Sequence, residues 1–158
     1  MRQRPYTRRE FCTEACRAGS LAALGGALGS ALQACGGGPS GPSNVPQIQT
    51  ISGTAVSGGV SVTVDSASPL ASVGAAVRVV SSLGNFLVAH TGQDTFVALT
   101  DTCTHQRCDI TGLENQTYVC PCHGSQFDLN GHVLSGPASA SLRQFPTQFT
   151  GGVLKISA

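Results

Sequence analysis

Four cysteines and two histidines crowd the stretch from Cys103 to His123, and this cluster constrains the fold more than any other feature of the sequence. They fall in two short loops, Cys103-Thr104-His105-Gln106-Arg107-Cys108 and Cys120-Pro121-Cys122-His123-Gly124-Ser125. A metal needs several donors converging on one point, so the surrounding fold must set the two loops side by side. Thiolates suit soft iron, and imidazoles suit iron or zinc. Two arrangements are open on these residues alone. Cys103, His105, Cys120 and His123 could close a tetrahedron around zinc. Two cysteines and two histidines could equally share a two-iron cluster of mixed ligation. The zinc arrangement leaves Cys108 and Cys122 without a role.

The flanking sequence reads as short strands. Val60, Val62 and Val64 alternate with Ser61, Thr63 and Asp65, and Val77 and Val79 alternate with Arg78. Phe86 and Val88 share one face of a strand, as do Val97 and Leu99. This two-residue period predicts half-buried β-strands. Asn130-Gly131 and Gly151-Gly152 each separate two such runs, a tight-hairpin signal. No stretch beyond residue 47 carries a helical period, and no internal repeat is visible. The expectation is an antiparallel all-β domain over residues 48–158, folded as a small sandwich or barrel.

Cys-Thr-His-x-x-Cys followed by Cys-Pro-Cys-His-Gly-Ser-x-Phe resembles the Rieske iron–sulfur proteins, in the branch found in cytochrome bc-type complexes. The resemblance extends over about residues 75–157. It implies a β sandwich with a small cluster-binding subdomain built from the two loops. It also implies a 2Fe–2S cluster, with Cys103 and Cys120 on one iron and His105 and His123 on the other. In that branch the second cysteine of each loop forms a clamping disulfide, which here joins Cys108 to Cys122. Ser125 stands where the family's serine hydroxyl donates to a bridging sulfide. Phe127 stands where this branch often carries a tyrosine whose hydroxyl donates to a ligand sulfur. Gly136-Pro137-Ala138 resembles the family's proline loop, which covers the cluster from a third side. One departure concerns docking: quinol-oxidising members usually show Leu-Gly after Cys-Thr-His, and this chain has Gln106-Arg107. The remaining candidates read as ordinary. His90 lies on a strand, His132 sits beside a hairpin turn, Tyr118 reads as packing, and Asp101 and Asp109 read as solvated flanks of the first loop.

Charge divides the chain. Five arginines and two glutamates precede residue 36, whereas four cations face six acids after it. Residues 18–34 carry no charge and follow a basic segment, the order of a secretory signal. Thr7-Arg8-Arg9-Glu10-Phe11 resembles a twin-arginine export motif. Only four of the uncharged residues are Leu, weak for a permanent span, so removal of the segment is expected over its retention as an anchor. Leu32-Gln33-Ala34-Cys35 resembles a lipobox, which implies lipid on Cys35. Cys12 and Cys16 would leave with the signal. Residues 36–47, rich in Gly, Pro and Ser, read as a flexible tether.

The net charge of +1 offers no basic field for nucleic acid. The chain has no room for the mononuclear-iron domain of Rieske oxygenases, so oxygenase catalysis is not expected. The resemblance implies an electron-transfer subunit of a membrane quinol–cytochrome c oxidoreductase, partnered by cytochrome b with its quinol and by a c-type cytochrome. A second reading is the small Rieske subunit of another exported oxidoreductase, arsenite-oxidase-like. A third is a zinc-stabilised envelope binding protein. The expected location is the periplasmic face of the bacterial cytoplasmic membrane, held by lipid or by the N-terminal segment. A structural disulfide agrees with that compartment.

Overall fold

The computed structural model describes residues 44–158. The expected signal segment, Cys35 and tether residues 36–43 lie outside the described residues. No helix among the described residues is long and apolar enough to cross a membrane.

Three sheets make up the fold, with strands numbered along the chain. The middle sheet holds β1 (Thr50–Ser52), β4 (Ala76–Ser81), β5 (Gly84–Gly92), β6 (Thr95–Thr100) and β11 (Gln144–Phe145), in the order β1-β4-β5-β6-β11. One outer sheet holds β12 (Thr147–Thr150), β13 (Val153–Ile156), β3 (Gly59–Thr63) and β2 (Thr54–Val56), in that order. The other outer sheet carries the cysteine–histidine loops. It orders β10 (Val133–Ser135), β9 (Gln126–Phe127), β8 (Thr117–Val119) and β7 (Gly112–Glu114).

The middle sheet has a core on each side. Phe86 and Val88 of β5 pack with Val60, Val62, Val77, Val79, Leu154 and Ile156. Leu87 and Ala89 of the same strand pack on the other side with Leu99, Ile110, Tyr118, Phe127 and the cysteines Cys103 and Cys120. A strand covered on both faces reads as a continuous apolar run, which is why alternation in the sequence revealed only one face of β5. Full burial of each such aliphatic or aromatic side chain is worth about 1.5–3 kcal/mol.

One strand pair departs from the antiparallel expectation: β1 runs parallel to β4, Ile51 opposite Val79. The chain then leaves the middle sheet at Gly53 and enters the outer sheet as β2, antiparallel to β3. A Cβ at Gly53 would lie 2.4 Å from Val60 Cγ1 and 2.7 Å from Val79 Cγ1, so the crossing between sheets requires glycine here. Gly151 and Gly152 form the expected two-residue hairpin between β12 and β13, both with positive φ. The Asn130-Gly131 hairpin is wider than expected. Its turn runs from Asp128 to His132, whose backbone atoms pair at 3.0 Å, and a register shift follows in β10.

Candidate metal centre

The two loops follow one backbone plan. In the first, the Cys103 amide donates to the Cys108 carbonyl at 2.8 Å, and the Arg107 amide donates back to Cys103 at 2.9 Å. In the second, the Cys120 amide donates to Ser125 at 2.9 Å, and the Gly124 amide donates to Cys120 at 3.0 Å. The fifth residue of each loop has positive φ, 59° at Arg107 and 72° at Gly124. Each loop is thus a closed turn that presents its side chains to its neighbour.

A disulfide joins the loops, Cys108 to Cys122, with Cα atoms 6.4 Å apart. The Sγ atoms of Cys108, Cys120 and Cys122 lie within 4.8 Å of one another, but the disulfide takes two of them out of metal chemistry. Cys103 and Cys120 remain as thiols and are both buried. Burial pushes the Cys120 thiol above its ordinary pKa, and the nearby Cys103 side chain adds to this; the backbone amides of Cys122 and His123 pull the other way. Amides directed at a sulfur favour its thiolate, the form that binds metal. The His105 and His123 rings meet edge to face, with centroids 4.9 Å apart and planes at 87°. Nδ1 of His105 is buried and has no hydrogen-bond partner. A buried ring nitrogen without a partner is costly unless something else bonds it. Two buried thiols, two converging imidazoles and this orphaned nitrogen are a donor set that could hold a two-iron cluster.

A third segment closes over the two loops. The Ala138 amide donates to Ser125 Oγ at 3.1 Å, and Ser125 is fully buried. That contact uses an oxygen lone pair and leaves the hydroxyl proton available as a donor. Gly136 approaches so closely that a Cβ would lie 2.6 Å from Ser125 Cα, and its φ is +90°. Pro137 follows it and is exposed. The Thr104 hydroxyl donates to the Ala140 carbonyl at 2.7 Å, tying the first loop to this cover. Phe127 is fully buried and sits opposite Tyr118 across the β8–β9 pair. Tyr118 is packing, as expected, although its buried hydroxyl has no partner.

The expectation for Asp101 is corrected. It is buried, 6% exposed, and accepts from Nε and Nη2 of Arg78 at 2.9 and 2.6 Å. Asp109 accepts from the same Nη2 at 2.9 Å and is exposed. Both aspartates bound the first loop, where Thr102 bridges Asp109 and the Ile110 amide donates to Asp101. Arg78 therefore clasps the base of that loop. The available signal was an arginine inside an apolar strand, with an acid on each side of the motif. Thr104 was also missed, since nothing in its surroundings marked it. His132 donates from Nδ1 to Asp128 in a local turn contact, and His90 donates from Nδ1 to the Leu70 carbonyl; both lie outside the two loops.

Comparison with known proteins agrees with this geometry. The chain is 34% identical over 61 residues to the cytochrome b6-f complex iron-sulfur subunit of Chlorobaculum thiosulfatiphilum, covering 38% of this chain and 34% of that protein. It is 38% identical over 60 residues to the ubiquinol-cytochrome c reductase iron-sulfur subunit of Bradyrhizobium diazoefficiens, covering 37% of this chain and 34% of that protein. The matched stretch therefore spans about a third of these relatives. A naphthalene 1,2-dioxygenase structure, 17% identical with a TM-score of 0.52, shares the fold over 61% of this chain and 25% of its own. Residues 62–146, more than half of the sequence, match the family described as the Rieske [2Fe-2S] domain, and the chain with its paired cysteine–histidine loops belongs to that family.

Proposed function

We propose that this chain is a one-electron carrier, in which Cys103 and Cys120 hold one iron of the [2Fe-2S] cluster and His105 and His123 hold the other. The observation that carries the reading is the pair of facing imidazoles, one with an orphaned buried nitrogen, set beside two buried thiols. The bound cluster supplies one-electron exchange at a potential above that of all-cysteine plant-type ferredoxins, because neutral imidazole replaces thiolate charge. The protein's own groups shape that exchange. The Cys108–Cys122 disulfide holds the loops together, and the Ser125 hydroxyl proton would be available to a bound cluster. Gly136 and Pro137 cover the site, while Phe127 adds no hydrogen bond to a ligand sulfur. The purified full chain is expected to be reddish, with a rhombic EPR signal on reduction. A colourless protein containing zinc refutes the reading.

The finer assignment is the iron–sulfur subunit of a membrane quinol–cytochrome c oxidoreductase, with cytochrome b and its quinol as donor side and a c-type cytochrome as acceptor. The names of the relatives support it. Membranes lacking this chain should lose quinol-dependent cytochrome c reduction, and unchanged turnover rejects the assignment. The polar, charged Gln106-Arg107 pair favours the second reading, a small subunit of another exported oxidoreductase. That reading expects co-purification with a molybdenum-containing subunit. For location, the twin-arginine-like segment and Cys35 support export and lipid anchoring at the periplasmic face of the membrane. A single acyl chain binds a membrane only marginally, so anchoring at Cys35 takes more than one chain. Cys35→Ser should release the protein from membranes; persistent retention argues for an uncleaved segment instead.

A further inference from the structure

Two cations and two carboxylates belong to the first loop: Arg107 within it, Asp101 and Asp109 at its ends, and Arg78 reaching in from β4. The set is balanced in number and unequal in burial. The Arg78 and Asp101 side chains are 15% and 8% exposed, whereas Asp109 is 61% exposed and Arg107 lies open to solvent. Water and salt screen the outer two charges. The inner two act through a medium of lower dielectric.

Arg78 also lies on the face of the middle sheet that looks toward the cysteine–histidine loops. It sits opposite Leu87 across the β4–β5 pair. Residues paired in this way project from the same face, and Leu87 packs in the core that contains Cys103 and Cys120. The other cations of the domain are placed differently. Arg143 lies over the Phe145 ring, and Lys155 is on β13 of the outer sheet. Stability is a poor reason for an arginine here, because apolar residues of similar volume commonly serve as well as a buried ion pair.

We propose that Arg78 tunes the cluster: its buried charge favours the reduced state and holds the midpoint potential up, in addition to clasping the first loop. The inference rests on the electron-carrier reading. With two thiolates and two neutral imidazoles, the oxidised cluster is neutral overall, and the reduced one carries a single negative charge. Reduction takes one electron from the donor, which is oxidised, and makes or breaks no bond. A fixed cation favours the charged product, and a fixed carboxylate opposes it. Without Arg78, two carboxylates remain beside the loop against one solvent-exposed guanidinium.

Voltammetry of the full cluster-loaded chain reads the sign. Arg78→Gln removes the charge and keeps a hydrogen-bond donor for Asp101. It should disfavour reduction about 3–10-fold, a fall of up to about 59 mV for a one-electron couple. A purely structural role predicts the opposite, because a loosened loop admits water, which favours the charged reduced state. Arg78→Lys keeps the charge without the planar fork, so it should restore the potential while melting below the parent. Asp109→Asn leaves the buried pair intact and should raise the potential. That rise should vanish near about 1 M salt, where the screening length is only ~3 Å, while the Arg78→Gln fall persists. Lys155→Gln, which removes a cation from the outer sheet, should leave the potential unchanged. A potential that rises or stays level in Arg78→Gln, or falls equally in Arg78→Lys, overturns the proposal. If Arg78→Gln takes up no cluster, Asp109→Asn decides, and a potential at or below the parent's overturns it. A parent chain that never shows cluster absorbance overturns the electron-carrier reading; a loaded parent whose variants shift with the wrong sign overturns the tuning alone.

Discussion

Replacing Asp101 with Asn tests whether the Arg78 clasp holds the first ligand loop in place. Asp101 is 6% exposed and accepts two hydrogen bonds from one guanidinium. Hydrogen bonds to charged groups are worth about 1.5–3 kcal/mol, and breaking a buried ion pair from one side costs about 3–5 kcal/mol. Two features lower the figure here. The Asn carbonyl can still accept one bond, and Asp109 remains as a second carboxylate for Arg78 at 2.9 Å. The expected loss is about 2–3 kcal/mol, or roughly 8–12 °C in melting temperature for a domain of this size. Arg78→Met should cost more, about 3–5 kcal/mol, because it strands the Asp101 carboxylate in the interior. Combining the two should cost less than their sum, with a coupling of about 1–3 kcal/mol.

The damage should also be local. Asp101 and Asp109 join through backbone contacts at the mouth of the first loop only. Hydrogen exchange in Asp101→Asn should therefore quicken at the Cys103 and Arg107 amides while Cys120 and Gly124 keep their protection. Differential scanning fluorimetry and exchange mass spectrometry read the two outcomes separately. A melting shift below about 2 °C, or exchange that rises equally in both loops, would show that the clasp does not position the first loop.

Phe127→Tyr should raise the midpoint potential, because a hydroxyl donated to a ligand sulfur stabilises the more negative reduced state; protein-film voltammetry showing no rise contradicts the assignment. Thr104→Val removes the hydroxyl that donates to Ala140 at 2.7 Å, at a cost of about 1 kcal/mol. Cluster absorbance should then decay faster under chelator, and an unchanged decay would mean that the latch does not restrain the cover. Gly136→Ala places a Cβ 2.6 Å from Ser125 Cα at φ +90°, so the backbone must shift, and a loss of about 2 kcal/mol or more is expected in urea titration. Asp128 provides a pH-dependent case. Burial pushes its pKa up, but the His132 ring and the His132 and Asn130 amides outweigh this and hold it below the ordinary carboxylate value. Its contribution is therefore present above the unfolded carboxylate pKa and lost as pH falls through the folded one. The stability gap between the parent and Asp128→Asn should be open at neutral pH and close below about pH 4; a gap independent of pH rejects it.

Much of the outer sheet was legible in the sequence. Val60 and Val62 show their alternation because one side of β3 faces solvent, and Gly151-Gly152 supplies the positive φ values its turn demands. The middle sheet was half legible. Leu87 and Ala89 are buried against the metal-binding layer, a fact of tertiary packing that no local pattern carries. The β7–β8 turn escaped notice because Asn115 and Gln116 take the left-handed conformation without glycine. Two-residue strands such as β9 and β11 are too short to show any period. At the metal centre the donor types were visible from the residues alone, but the choice between zinc and iron needed the family resemblance, as did the Cys108–Cys122 pairing. Asp101 was misread because a carboxylate in a polar stretch looks solvated until its arginine, far away on β4, is brought to it.

The matched backbone plan of the loops explains why their unlike sequences converge on one site. Counting from the first cysteine, the sixth place holds Cys108 in one loop and Ser125 in the other, and the third holds His105 and Cys122. The disulfide therefore links the sixth place of one loop to the third place of its sister. With that third place occupied by sulfur, the second imidazole comes from the fourth place, at His123. The one-residue offset lets one pair of positions clamp while the other pair converges, with rings at 87° and centroids 4.9 Å apart. Ser125, left at the sixth place without a sulfur partner, is free to take the Ala138 amide and so fasten the covering segment. Clamp, ligands and cover thus follow from placing different residues on one repeated turn.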